Sequence, residues 1–173
     1  MHHDQYLDNN HYTFIDHGGG SHLPLLLACV AATTGPVLEI GVGHGSTPCL
    51  HSVCCPNRKL VSLEEDAKWL ETFKAWECDG HTVELDSPAH LAELATQRWG
   101  VVFIDDSPGP PRADHVRMFL PVADYVVVHD AEGEDIMVPT RPVIAGVPHQ
   151  FIYKTFFPWT LAVSLTHPIP RVP

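Results

Sequence analysis

One stretch, Val37–Leu50 (VLEIGVGHGSTPCL), constrains this chain more than any other. Val37-Leu38-Glu39-Ile40 reads as a short buried strand, and Gly41, Gly43 and Gly45 follow as a tight turn. Ser46-Thr47-Pro48 then opens a helix, with Thr47 expected as its N-cap and Pro48 in its first turn. Strand, glycine turn and helix in this order form the corner of a doubly wound α/β domain that cradles a phosphate or a nucleotide. Glycine is needed there because a ligand must approach bare main chain.

The remaining chain supplies matching units. Ser21 is expected to cap a nearly all-apolar helix from Leu23 to Ala32, buried against the sheet. Strands are predicted at Lys59–Leu63, His81–Leu85 (an edge), Gly100–Ile104 and Asp124–Val128. The intervening helices start at Asp66, at Ser87-Pro88 and near Arg112, the first carrying Trp69, Leu70, Phe73 and Trp76 at helical spacing. Residues 131–148 leave room for one short helix around Asp135–Val138. Gln150–Phe157 and Thr160–Thr166, flanking Pro158-Trp159, read as an antiparallel hairpin. The expected fold is therefore α/β: a doubly wound, mostly parallel seven-stranded sheet that ends in a β-hairpin. Residues 1–20 are expected to be a tail, and 21–173 a single domain.

Ten basic residues against 21 acidic ones give a formal charge of −11, which argues against a nucleic-acid partner. No long apolar run and no signal-peptide pattern is present, so neither a membrane span nor export is expected, and a cytoplasmic location is. Cys49, Cys54 and Cys55 share a predicted helix with His51, which invites a metal reading. With no second C-x-x-C pair, the plainer expectation is small buried apolar residues.

Every predicted parallel strand ends in an acid: Glu39 before the glycines, Glu64-Glu65, Asp86, Asp105-Asp106 and Asp130, the last preceded by His129. Ligands of open α/β sheets bind at this rim. So many carboxylates repel one another unless a ligand, cation or donor compensates them. Glu64 falls about 20 residues beyond the first glycine, where a carboxylate accepts both ribose hydroxyls. Asp86 serves either an adenine amine or the cap of the Ser87-Pro88 helix. His129 is either a general base or a neutral, hydrogen-bonded imidazole under the rim.

The spacing E-x-G-x-G-x-G at a strand end resembles the first motif of class I S-adenosylmethionine-dependent methyltransferases, a Rossmann-like family. The glycine pattern departs from the G-x-G-x-x-G of dinucleotide enzymes. GSHLPLL (Gly20–Leu26), GHGSTP (Gly43–Pro48), FIDDSPGPPR (Phe103–Arg112), VVVHDAE (Val126–Glu132) and Pro158-Trp159-Thr160 look like a group of small bacterial and phage members. GHGS and LEED..W also resemble the glucuronoxylan 4-O-methyltransferases. This resemblance implies S-adenosylmethionine held by Glu39, Gly41, Gly43, Gly45, Ser46, Glu64 and Asp86, with Ser21 and His22 near its methionine end. It implies a small-molecule or glycan acceptor served by Asp105, His129 and Asp130 as catalytic groups. Asp106 is placed on the substrate side, and Arg112 is either an anchor for an acidic substrate or a solvated cation at the start of its helix. In the catechol O-methyltransferase-like branch, acids at Asp105 and Asp130 hold a divalent cation, but that branch's Asn is Ala131 here. Loops this short imply a partner subunit, hence a homodimer. A nicotinamide-dependent oxidoreductase and a catalytically silent cofactor-binding module are the alternatives.

Overall fold

The computed structural model of the protein describes residues 19–107 and 112–172. The expected tail therefore lies outside the described residues, except for Gly19 and Gly20.

Seven strands form one sheet: β1 (Val37–Ile40), β2 (Leu60–Glu64), β3 (His81–Leu85), β4 (Trp99–Ile104), β5 (Ala123–Val128), β6 (His149–Tyr153) and β7 (Thr160–Ser164). Their order is β3-β2-β1-β4-β5-β7-β6, with β7 antiparallel to both neighbours and the others paired in parallel. The predicted edge strand, the central Gly100–Ile104 run and the closing hairpin all take their expected places. β1 lies between β2 and β4, pairing Ile40 with Leu63 on one side and Ile104 on the other. The chain thus reverses its winding beside Gly41, the switch point at which such sheets bind ligands.

Alternation along the strands explains the layers. Leu38, Ile40, Val102, Ile104, Val126 and Val128 pack on one face, under helices α4 (Pro88–Leu94), α5 (Arg112–Phe119) and α6 (Glu134–Ile144). Val37, Val101, Phe103 and Val127 pack on the other, under α1 (Leu23–Ala31) and α2 (Ser46–Cys54). All six residues of β4 are buried, as a strand covered on both faces requires. Each fully buried aliphatic side chain contributes about 1.5–3 kcal/mol. A smaller cluster of Val42, Leu70, Phe73 and Val83 seats α3 (Ala67–Glu71) and the short 3-10 turn Lys74–Trp76.

Two predicted caps are present. Asp66 accepts from the backbone N–H groups of Lys68 and Trp69, and Ser87 from that of His90. Two are not. The residue preceding α1 is His22, and the Ser21 hydroxyl turns instead to His129. Thr47 lies inside α2, because the buried Glu39 carboxylate draws its hydroxyl away. The short helix expected near Asp135–Val138 is an 11-residue helix that carries Pro139 and Pro142. Its buried stripe, Ile136, Met137, Thr140 and Ile144, shows why tertiary packing overrides the proline penalty. No helix among the described residues is long and apolar enough to cross a membrane.

Candidate active site

The site begins at the turn after β1. Gly41 has φ 93°, and a Cβ there would lie 2.6 Å from the Asp105 carbonyl carbon and oxygen. The turn after β1 and the loop after β4 therefore touch main chain to main chain, and only glycine fits. Beneath them Glu39 has no exposed surface. Thr47 Oγ1 donates to its carboxylate at 3.0 Å and Ser62 Oγ at 2.6 Å, while Thr47 Oγ1 accepts from the Gly43 N–H. Glu39 thus ties the glycine turn and α2 to β2 from below. Burial pushes its carboxyl up to about 7, against the pull of the Ser46, Ser62 and Thr47 hydroxyls.

Beside Gly41 opens a cleft of about 230 Å³, lined by Glu64, Asp86, Asp106, Leu91 and His115. One Glu64 oxygen accepts from the N–H groups of Glu65 and Asp66 at 2.9 and 3.0 Å, which fixes the carboxylate at the mouth. Burial raises the pKa of both Glu64 and Asp86. Asp86 Oδ1 is buried there without a hydrogen-bond partner, while His115 Nδ1 faces Asp106 Oδ2 at 3.5 Å and Asp106 Oδ1 lies 3.8 Å from Arg112 Nε. A buried oxygen left so costs about 1–3 kcal/mol, so a ligand that carries a donor fits beside Asp86. Asp86 does not cap α4, since Ser87 does. Asp106, expected on the acceptor side, belongs to this cleft, and His115 was not anticipated. His115 stands one helical turn beyond Arg112, and only the packing of α5 against the rim reveals it.

The second group lies at the ends of β4 and β5. His129 Nδ1 is 3.1 Å from Asp105 Oδ1, and its Nε2 is 2.9 Å from Ser21 Oγ. Burial opposes the charged imidazole, but the Asp105 carboxylate, by charge and hydrogen bond, and then Asp130 outweigh it and raise the pKa. The connectivity is that of a Ser–His–Asp triad. Ser21, however, has no exposed surface to offer a substrate carbonyl. The His22 ring packs against Phe103 and His129, centroids 4.8 and 4.7 Å away. Burial, and then the neighbouring His129, lower its pKa to about 3, so it is neutral, and both of its ring nitrogens lack partners.

Arg112 is only 4% exposed, and most of its guanidinium is engaged within the protein. Nη1 donates to the His129 carbonyl at 2.8 Å and to Asp130 at 3.0 Å, and Nε to the Asp106 carbonyl at 2.9 Å. Nη2 lies 3.2 Å from Asp105. These contacts leave a substrate little of the guanidinium's donor capacity. They bridge Asp105 and Asp130, the two acids expected to share a divalent cation. Asp130 is held at φ 56°, a left-handed conformation that non-glycine residues adopt at a cost. His22, Asp105 and His129 do have ligand atoms within 4.8 Å of one another. The guanidinium beside Asp105 opposes a further cation there.

No family sequence profile matches the chain, and no curated protein matches it in sequence. Solved structures do resemble it. An O-methyltransferase from Bacillus cereus in complex with SAH superposes with TM-score 0.66 at 15% identity, covering 93% of this chain and 86% of that one. The O-methyltransferase TomG from Streptomyces achromogenes, in complex with SAM, gives TM-score 0.63 at 17% identity over 94% and 85%. Human methyltransferase-like protein 13, in complex with SAH, gives 0.62 at 17% over 88% and 82%. The strand order, the reversed β7 and these superpositions together show that the chain has the class I methyltransferase fold.

Proposed function

We propose that the chain is an S-adenosylmethionine-dependent methyltransferase that acts on a hydroxyl oxygen of a small molecule or glycan. The observation that carries this reading is the cleft beside Gly41, where Glu64, Asp106 and the unpartnered Oδ1 of Asp86 converge at the switch point of the sheet. Similarity in fold to O-methyltransferases supports it. Glu64 is assigned to the ribose, and Asp86, with His115, to the base. The main chain of Gly41, Gly43 and Gly45 is assigned to the amino-acid end, with the buried Ser21, His22 and Ser46 as positioning residues beneath it. Glu39, wholly buried, is a positioning residue for that turn.

When bound, the cofactor supplies a methyl group on a sulfonium centre, an electrophile that needs no further activation. What remains for the chain is to place the acceptor and remove its proton. Asp105 and Asp130 keep 23% and 33% of their side chains exposed, so a hydroxyl reaches these carboxylates, with His129 behind them. His129, with Asp105 on its Nδ1, is assigned the proton. Arg112 takes the place of the divalent cation by holding Asp105 and Asp130 at a fixed separation.

Calorimetry of the full chain with S-adenosylhomocysteine and with NAD tests the assignment. Binding of the former, weakened by Glu64→Ala and by Asp86→Ala, is expected. Binding of NAD alone overturns it in favour of an oxidoreductase. Cofactor binding without turnover on any hydroxylated acceptor supports a silent binding module instead.

A further inference from the structure

At the end of the sheet remote from the cleft lies a second group with no role in the reading above. We propose that His51, Cys55 and Cys78 form a site for one thiophilic metal ion of the Zn2+ class. Their ligand atoms all lie within 4.8 Å of one another. Zinc–sulfur and zinc–nitrogen bonds of about 2.3 and 2.0 Å place tetrahedral ligands roughly 3.3–3.8 Å apart, so about 1 Å of side-chain adjustment closes the site.

Two rigid pieces present these ligands. His51 lies in the last turn of α2 and Cys55 is its C-cap residue, whose N–H donates to the His51 carbonyl at 2.9 Å. The i, i+4 spacing puts both side chains on one helix face. Cys78 is locked by a reciprocal pair of 3.0 Å backbone hydrogen bonds with His81. Gly80, at φ 96°, closes that turn. The ring of Trp76 packs edge-on against His51, its centroid 5.2 Å away. The helical cysteines alone therefore do not make the site, since its second sulfur comes from the turn before β3. Cys54 is buried, and neither it nor Cys49 belongs to the group.

The hydrogen-bond chain behind His51 selects the form that binds metal. Ser62 donates its only proton to Glu39, so it accepts from His81 Nε2 at 2.9 Å. His81 Nδ1 in turn lies 3.0 Å from His51 Nδ1, which engages that nitrogen of His51 and leaves Nε2 as its other ligand atom. A metal-binding imidazole whose other nitrogen donates to a fixed acceptor is the usual arrangement. Metal binding displaces the thiol protons of Cys55 and Cys78. Cys78 is exposed, which provides an entry path and leaves the fourth position to water.

The test is a titration of the fully reduced full chain with Co2+, followed by Zn2+. One equivalent of Co2+ should develop a thiolate-to-cobalt charge-transfer band, which one equivalent of Zn2+ abolishes. Cys55→Ser and Cys78→Ser should each lose the band, and Cys49→Ser should keep it, all with native circular dichroism. Cys78 is exposed, so its variant keeps the fold testable. Absence of the band in the reduced wild type, its survival in Cys78→Ser, or a Cys55–Cys78 disulfide that forms in place of metal binding overturns the proposal.

Discussion

Replacing Arg112 with Met tests whether a buried guanidinium holds the acidic rim together. The variant keeps most of the side-chain volume and loses the charge. Two carbonyls lose their charge-assisted donors, and Asp105, Asp106 and Asp130 face one another without a cation. Stranding the partners of a buried ion pair costs about 3–5 kcal/mol. The three carboxylates keep 23%, 12% and 33% of their side chains exposed, so water repairs part of the loss. A cost of about 3 kcal/mol is the working figure. With a urea slope of about 2 kcal/mol per molar for a domain of this size, the unfolding midpoint falls by roughly 1.5 M. The variant then presents the vacated acids to hard cations, and Mg2+ at about ten times its Kd should restore roughly 1.4 kcal/mol. Wild-type protein should gain nothing from Mg2+, because Arg112 already fills that place. Equal midpoints for the two proteins, or an equal Mg2+ effect on both, would refute the reasoning.

Three further outcomes are expected. Gly41→Ala forces a Cβ to 2.6 Å from the Asp105 carbonyl at φ 93°. It should cost about 2 kcal/mol, a drop in Tm of about 4–8 °C by calorimetry, and an unchanged Tm would remove the case for close backbone contact. The Glu39 carboxyl sits at about 7 in the fold against an ordinary 4.5, so its contribution to stability is complete below 4.5 and is lost as pH rises through 7. Denaturant titrations of wild type and Glu39→Gln should therefore diverge by about 3 kcal/mol in pH dependence across that window, and parallel curves would contradict a buried Glu39. His129 is raised above its ordinary 6.5, so its stabilising effect is present below 6.5 and fades as pH rises through the folded value. Methyl transfer should accelerate over the same rise, and Asp105→Asn should move that limb to lower pH. A limb that stays in place would show that Asp105 does not hold the His129 pKa up.

Sequence determined the frame of this protein. Short apolar runs from Val37 to Ile40 and from Gly100 to Ile104, the Asp66 and Ser87 caps, and three glycines after the first strand are local signals. Each depends on neighbours within a few positions, which is why strands, turns and the acidic rim were legible without coordinates. Tertiary structure decided what the polar side chains do. Ser21 meets His129 across 108 positions, Ser62 meets Glu39 across 23, and Arg112 meets Asp130 across 18. Nothing in the local sequence encodes such pairings, because they follow from strand order and from which helix covers which face. Thr47 resembled a cap, yet its hydroxyl serves the buried Glu39 carboxylate. Buried polar groups must find partners, and only the assembled sheet sets which ones come within reach.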